Sequence, residues 1–333
     1  MKKGRINYID YTKGYGILLI VLFHLTGYFN ACHNLSGYIE SYCVSIFFII
    51  SGVLMTFKEE KYESWNVFLR KKYRSLLIPY IWFSIFNSLL KLSVLFATHQ
   101  LTESVVHSEM IELFITGNGT VWFLLTLFGA ELLYRMVVGI CNEFQIAILA
   151  IACIMLCFLV GGEIKYPVAI TLLRILAAFS FLVSGVFAGK YILNKYDLGL
   201  YVGIALLLSG IFSYLALGSG YSFFYGVYEK PLASLLAVFL NSFGSIIILK
   251  NIRPDIEFWK YLGRNSLIIM LVHPTILLLY TYPAHGSFNL LPVITQWFVV
   301  VSIFTTIVLA EVPFIWLINN KLPFLIGKSK IRK

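Results

Sequence analysis

The side chain with the widest chemical reach in this sequence is His24, which ends the apolar run Gly16-Ile17-Leu18-Leu19-Ile20-Val21-Leu22-Phe23. An imidazole titrates near neutrality, so it can accept and donate a proton or act as a nucleophile. Lys13 stands eleven residues earlier. Eleven helical residues return to within about 20° of the same face, about 16 Å along the axis. Asp10 precedes Lys13 by three residues, a spacing that lets the two pair if the helix extends that far. One helix face would thus run from a charged end to a deep imidazole. The competing reading is a histidine that only bonds a neighbouring helix, because buried polar groups also join helices.

Other groups carry the same choice between chemistry and packing. His273 is a second histidine in an apolar run, reached from Leu262-Gly263-Arg264-Asn265-Ser266, which reads as a turn entering a helix. Phe47-Phe48-Ile49-Ile50-Ser51-Gly52 leaves room for another backbone at its small pair, and Ser51 has no base beside it in sequence. Arg70-Lys71-Lys72-Tyr73-Arg74 precedes Leu76-Leu77-Ile78-Pro79-Tyr80. Such a run is either the basic flank of an apolar span, touching anionic lipid, or a phosphate site, since Arg forks match phosphate oxygens. Trp122-Phe123-Leu124 follows Gly117-Asn118-Gly119-Thr120 and suits an interfacial aromatic belt or a cavity lining. The sequence holds no phosphate-binding loop, zinc-binding histidine pair or nucleophile elbow, and no metal is expected.

The elements that must hold these residues are membrane helices. The chain has 333 residues, 59% hydrophobic and 13% charged, with a mean hydropathy of +0.84. Soluble domains carry about 25% charged residues, so an ordinary water-soluble enzyme and a disordered tail protein are both excluded. Apolar blocks fall at 15–32, 38–57, 76–97, 121–140, 144–161, 168–190, 198–217, 232–249, 265–282 and 293–318. Each is long enough for a hydrocarbon core of about 30 Å. The predicted fold is all-α: a polytopic bundle of about ten transmembrane helices, one transmembrane domain over 1–333 with no separate soluble domain. His24 then sits about 13 Å into the first span. Glu131, Arg174, His273 and Glu311 are also inside spans, where ionisable groups face a protein interior or a wet cavity. Lys91 lies near the outer end of the third span and can snorkel.

Net charge is +10, from 26 Lys+Arg against 16 Asp+Glu. With the N-terminus in the cytoplasm, 22 basic residues fall on the inner side and four (Lys91, Lys165, Arg174, Lys230) on the outer half. That is the bias of cytoplasmic loops, so both termini are placed inside and no nucleic-acid partner is needed to explain the charge. Segments 98–120 and 218–231 read as short outer loops rich in Gly, Ser and Thr. The first span reads as retained, since Phe29-Asn30-Ala31-Cys32-His33 offers no small-x-small cleavage site. The five cysteines form no disulfide framework and no zinc pattern.

Taken in order, these motifs resemble the acyltransferase-3 family of integral membrane acyltransferases. The matching residues are Arg5-x4-Asp10-x2-Lys13-Gly14-x9-His24, Phe47-Phe48-x2-Ser51-Gly52, Lys71-x2-Arg74-x3-Ile78-Pro79-Tyr80, Trp122-Phe123-Leu124 and Leu262-Gly263-x2-Ser266-Leu267-x5-His273. The Trp-Phe-Leu form is more similar to a small sugar O-acetyltransferase branch, and Lys13 stands where many members carry Arg. The resemblance implies acetyl transfer from cytosolic acetyl-CoA to a hydroxyl of an extracytoplasmic or lipid-linked glycan, in the inner or plasma membrane. It implies His24 as base or acyl carrier, with Asp10 and Lys13 in support. Arg70, Lys71, Lys72, Arg74 and Arg5 would meet the CoA phosphates, and Ser51, Trp122 and His273 would line or orient the cavity. A transporter or flippase of a lipid-linked sugar is the alternative, because ten spans with buried charges suit it as well.

Overall fold

The computed structural model describes residues 6–57, 64–160, 164, 166–218, 220–224, 227–253, 256–281 and 287–328. Its helices in chain order are α1 Asn7–Thr26, α2 His33–Cys43, α3 Ser45–Met55, α4 Trp65–Lys72, α5 Ile78–Ala97, α6 Glu103–Ile111 and α7 Trp122–Val137. They continue with α8 Glu143–Val160, α9 Pro167–Ala188, α10 Leu200–Leu217, α11 Pro231–Ile252, α12 Glu257–Thr281 and α13 Val293–Asn320. Strands β1 Gly220–Ser222 and β2 Val227–Glu229 pair antiparallel, with Tyr221 opposite Tyr228. The described residues are otherwise all-α, as the hydropathy predicts. Eight helical stretches among the described residues are long and apolar enough to cross a membrane. Large apolar side chains point outward on them, for example Leu159 at 77% and Phe298 at 71% exposure, a surface suited to hydrocarbon and not to water.

Two compact units are present, one of residues 1–58 and 181–315, the other of 59–180 and 316–333. In the first, α1 packs along α12 and α10 along α11. Small residues set both contacts. A Cβ on Gly14 would stand 2.8 Å from the Trp259 carbonyl oxygen, and one on Gly263 would collide with the Asp10 carbonyl. Gly203 and Gly244 meet each other's backbones in the same way. Gly52 on α3 and Gly185 on α9 form a third crossing, where a Cβ on either would overlap the partner's backbone. The small pair Ser51-Gly52 therefore does admit another backbone, as its sequence suggested.

In the second unit a π-helical turn, Tyr73–Leu77, joins α4 to α5, with the Ile78 N–H bonded to the Tyr73 carbonyl. Pro79 follows, and having no N–H it removes a donor from the ordinary ladder. Gly327, at φ 67°, lies so close that any side chain there would strike the Arg74 carbonyl. The C-terminal 3-10 turn Pro323–Ile326 is thus held against the π turn.

Three features differ from the sequence reading. α1 starts eight residues before the predicted 15 and ends at Thr26, because its polar first turns are helical through packing on α12, which hydropathy does not register. The second span is broken at Val44 between α2 and α3. Segment 98–120 is not a plain loop but contains α6, capped where the Val105 N–H donates to Thr102 Oγ1 at 3.4 Å and favoured by Glu103 in its first turn. Glu109 of α6 is fully buried against Lys91, which also lies 3.7 Å from Glu112. Lys91 is therefore half-exposed but paired.

Candidate functional site

The deep imidazole is not alone. α1 and α12 run parallel, since Gly14 meets Gly263 and, ten residues further along each helix, His24 meets His273. The glycine crossing fixes the register, because two backbones in contact there leave no slack for one helix to slide. At that register the two imidazoles lie with ring centroids 5.2 Å apart and planes inclined by 39°. His24 is half-buried and also touches Phe23.

His273 is completely buried. Its Nδ1 stands 2.9 Å from the Ile269 carbonyl oxygen, four residues earlier on the same helix. A carbonyl only accepts, so Nδ1 carries the proton and donates it, and Nε2 is left with a bare lone pair. Among the described residues Nε2, which is buried, has no hydrogen-bond partner, and a buried acceptor left unsatisfied costs about 1–3 kcal/mol.

At the N-terminal end of the same helix pair sits a charged group. Asp10 is buried, and its Oδ2 lies 3.8 Å from Arg264 Nε. Arg264 is also 3.6 Å from Glu257, which accepts a 3.0 Å bond from Lys260. Lys13, half-buried, lies three residues beyond Asp10. Arg264 was not singled out as a partner by the sequence, although it stands inside the Leu262-Gly263-Arg264 motif. Ser51 is half-buried on α3, and Arg5 lies outside the described residues.

The second unit holds the basic run. Arg70, Lys71 and Arg74 are exposed on α4 and the π turn. Lys72 is buried, 3.1 Å from Glu131 Oε2 on α7, with its ammonium 5.5 Å from the Phe68 ring. Arg135, one turn along α7 from Glu131, lies over the Trp65 ring at 5.0 Å. The run therefore divides by helix face into outward cations and one inward cation. Trp122 is buried and not in an exposed aromatic belt. The Arg174 guanidinium covers its ring at 5.1 Å and donates to the Thr116 carbonyl at 3.3 Å.

Among the described residues no group of three or more His, Cys, Asp or Glu side chains could hold a metal. The arrangement offers proton transfer or nucleophilic chemistry at an imidazole, in apolar surroundings that strengthen electrostatic interactions. No curated protein and no solved structure gives a significant match to this chain. The family description Acyl_transf_3, an acyltransferase domain, matches residues 6–312, from the residue before α1 to the residue after Glu311 on α13. A match over nearly the whole chain, taking in both helices that bring the two imidazoles together, places this protein in the Acyl_transf_3 family of acyltransferase domains.

Proposed function

We propose that this membrane acyltransferase transfers an acetyl group from cytosolic acetyl-CoA to a hydroxyl of an extracytoplasmic or lipid-linked glycan, with His24 at the reacting centre. The observation that carries the reading is the contact of His24 with the buried His273 inside an apolar bundle. His24 either takes the proton of the attacking hydroxyl or accepts the acetyl group itself. Asp10 and Lys13 support α1 at its inner end. Donor phosphates are assigned to the exposed Arg70, Lys71 and Arg74, and the buried Lys72–Glu131 pair fixes the helix that carries them. The sugar branch and the acetyl donor rest on the Trp122-Phe123-Leu124 form and the ordered motifs.

The test is His24→Ala, assayed with radiolabelled acetyl-CoA and membranes of the source organism as acceptor. Folded protein should remain in the membrane while label transfer falls by at least about 100-fold, the lower end of what a positioned acid–base group supplies. Transfer at the wild-type rate would remove His24 from the chemistry.

A further inference from the structure

The mechanism above leaves the buried Nε2 lone pair of His273 unused. Its geometry is constrained from both sides. The Ile269 carbonyl holds the proton on Nδ1 at 2.9 Å, so Nε2 can only accept. Among the described residues no partner satisfies Nε2, yet the ring next to it is another imidazole at 5.2 Å between centroids. At that separation the rings are near neighbours, inclined by 39°, and turning His24 edge-on toward Nε2 would bring a ring nitrogen into hydrogen-bond range. Catalytic hydrogen bonds often tighten only when substrate is bound.

We propose that His273 is the positioning residue for His24. It accepts the N–H of one His24 nitrogen at its own Nε2 and so fixes the tautomer that leaves the other nitrogen bare toward the substrates. The inference rests on the reading that His24 is the reacting group. The transfer then balances. The bare nitrogen takes the hydroxyl proton as the acceptor oxygen bonds to the thioester carbon, the C–S bond breaks, and His24 returns the proton to the departing thiolate. His273 undergoes no net change. Its buried position, with no exposed surface, suits a role exerted through His24 and not direct contact with the acceptor.

Two substitutions separate this role from simple packing. His273→Leu fills the site with an apolar side chain of similar bulk and offers no acceptor. His273→Gln places an amide oxygen near the position of Nε2. Label transfer from radiolabelled acetyl-CoA to source membranes is measured at saturating donor, together with the apparent donor KM and thermal unfolding. His273→Leu should lose at least about 100-fold in turnover with an unchanged donor KM, while His273→Gln stays within about tenfold of wild type. Equal activity of the two variants would overturn the proposal, as would stable but inactive His273→Gln. Loss of folded protein in both would mark His273 as structural and overturn it too. Retained activity in His24→Ala rejects the underlying reading instead, so the two failures are distinguishable.

Discussion

Lys72 and Glu131 show how one residue in a basic run can differ from its neighbours. Both side chains are almost wholly buried and 3.1 Å apart, whereas Arg70, Lys71 and Arg74 face outward. Removing one partner of a buried pair leaves the other charge uncompensated, which costs about 3–5 kcal/mol. Glu131→Ala should therefore lower thermal stability in detergent by about that much, and the double variant Lys72→Met with Glu131→Leu should recover most of it. A single-variant loss below about 1 kcal/mol would place the pair with the weak exposed ones. The sequence marked Lys72 for the phosphate site and Glu131 only as an ionisable group inside a span; it did not join them, because they lie on different helices and no local periodicity links them. It likewise named Asp10, Lys13 and His24 from spacing alone, but not Arg264 as the cation beside Asp10 or Arg174 as the cover of Trp122.

The decisive element contact is α1 on α12. Its glycines are needed for close approach, not for backbone freedom: a Cβ on Gly263 would occupy the space of the Asp10 carbonyl, and one on Gly14 would press on the Trp259 carbonyl at 2.8 Å. Gly263→Ala should push the helices apart, costing about 1–3 kcal/mol as overpacking does. It should also separate His24 from His273. The expected outcome is a lower unfolding temperature together with a drop in acetyl transfer larger than the stability loss alone explains. Unchanged stability would mean that the crossing is not tight. Both glycines were visible in the motifs, yet a glycine in a helix run is equally compatible with a kink, a cap or a crossing. Only the neighbour's backbone decides which. The same limit applies to α6, whose polar, short sequence carries no hydropathy signal and so reads as loop until its Thr102 cap and the Glu109–Lys91 contact are seen.

At the scale of the molecule, charge and apolarity are distributed unevenly in a useful way. The exterior of the helices is apolar, while the sequence reading gives 22 of 26 basic residues to one side of the membrane. On the proposed function an anionic donor would be drawn to that side, since clustered cations raise the local concentration of anions. Lys71→Ala combined with Arg74→Ala should raise the donor concentration for half-maximal transfer by roughly tenfold with little change in maximal rate, the signature of lost binding that is equal in ground and transition states. An unchanged donor requirement would remove these residues from the phosphate site. By itself the sequence determined the helical membrane architecture and the candidate residues, because span length and hydropathy are local properties, and the ordered motifs pointed to the family. The tertiary structure alone decided which candidates meet: His24 with His273, Asp10 with Arg264, Lys72 with Glu131. The physical reason is that these pairs are brought together by helix crossings between distant parts of the chain, and the fit of one backbone against another is not written in the periodicity of either.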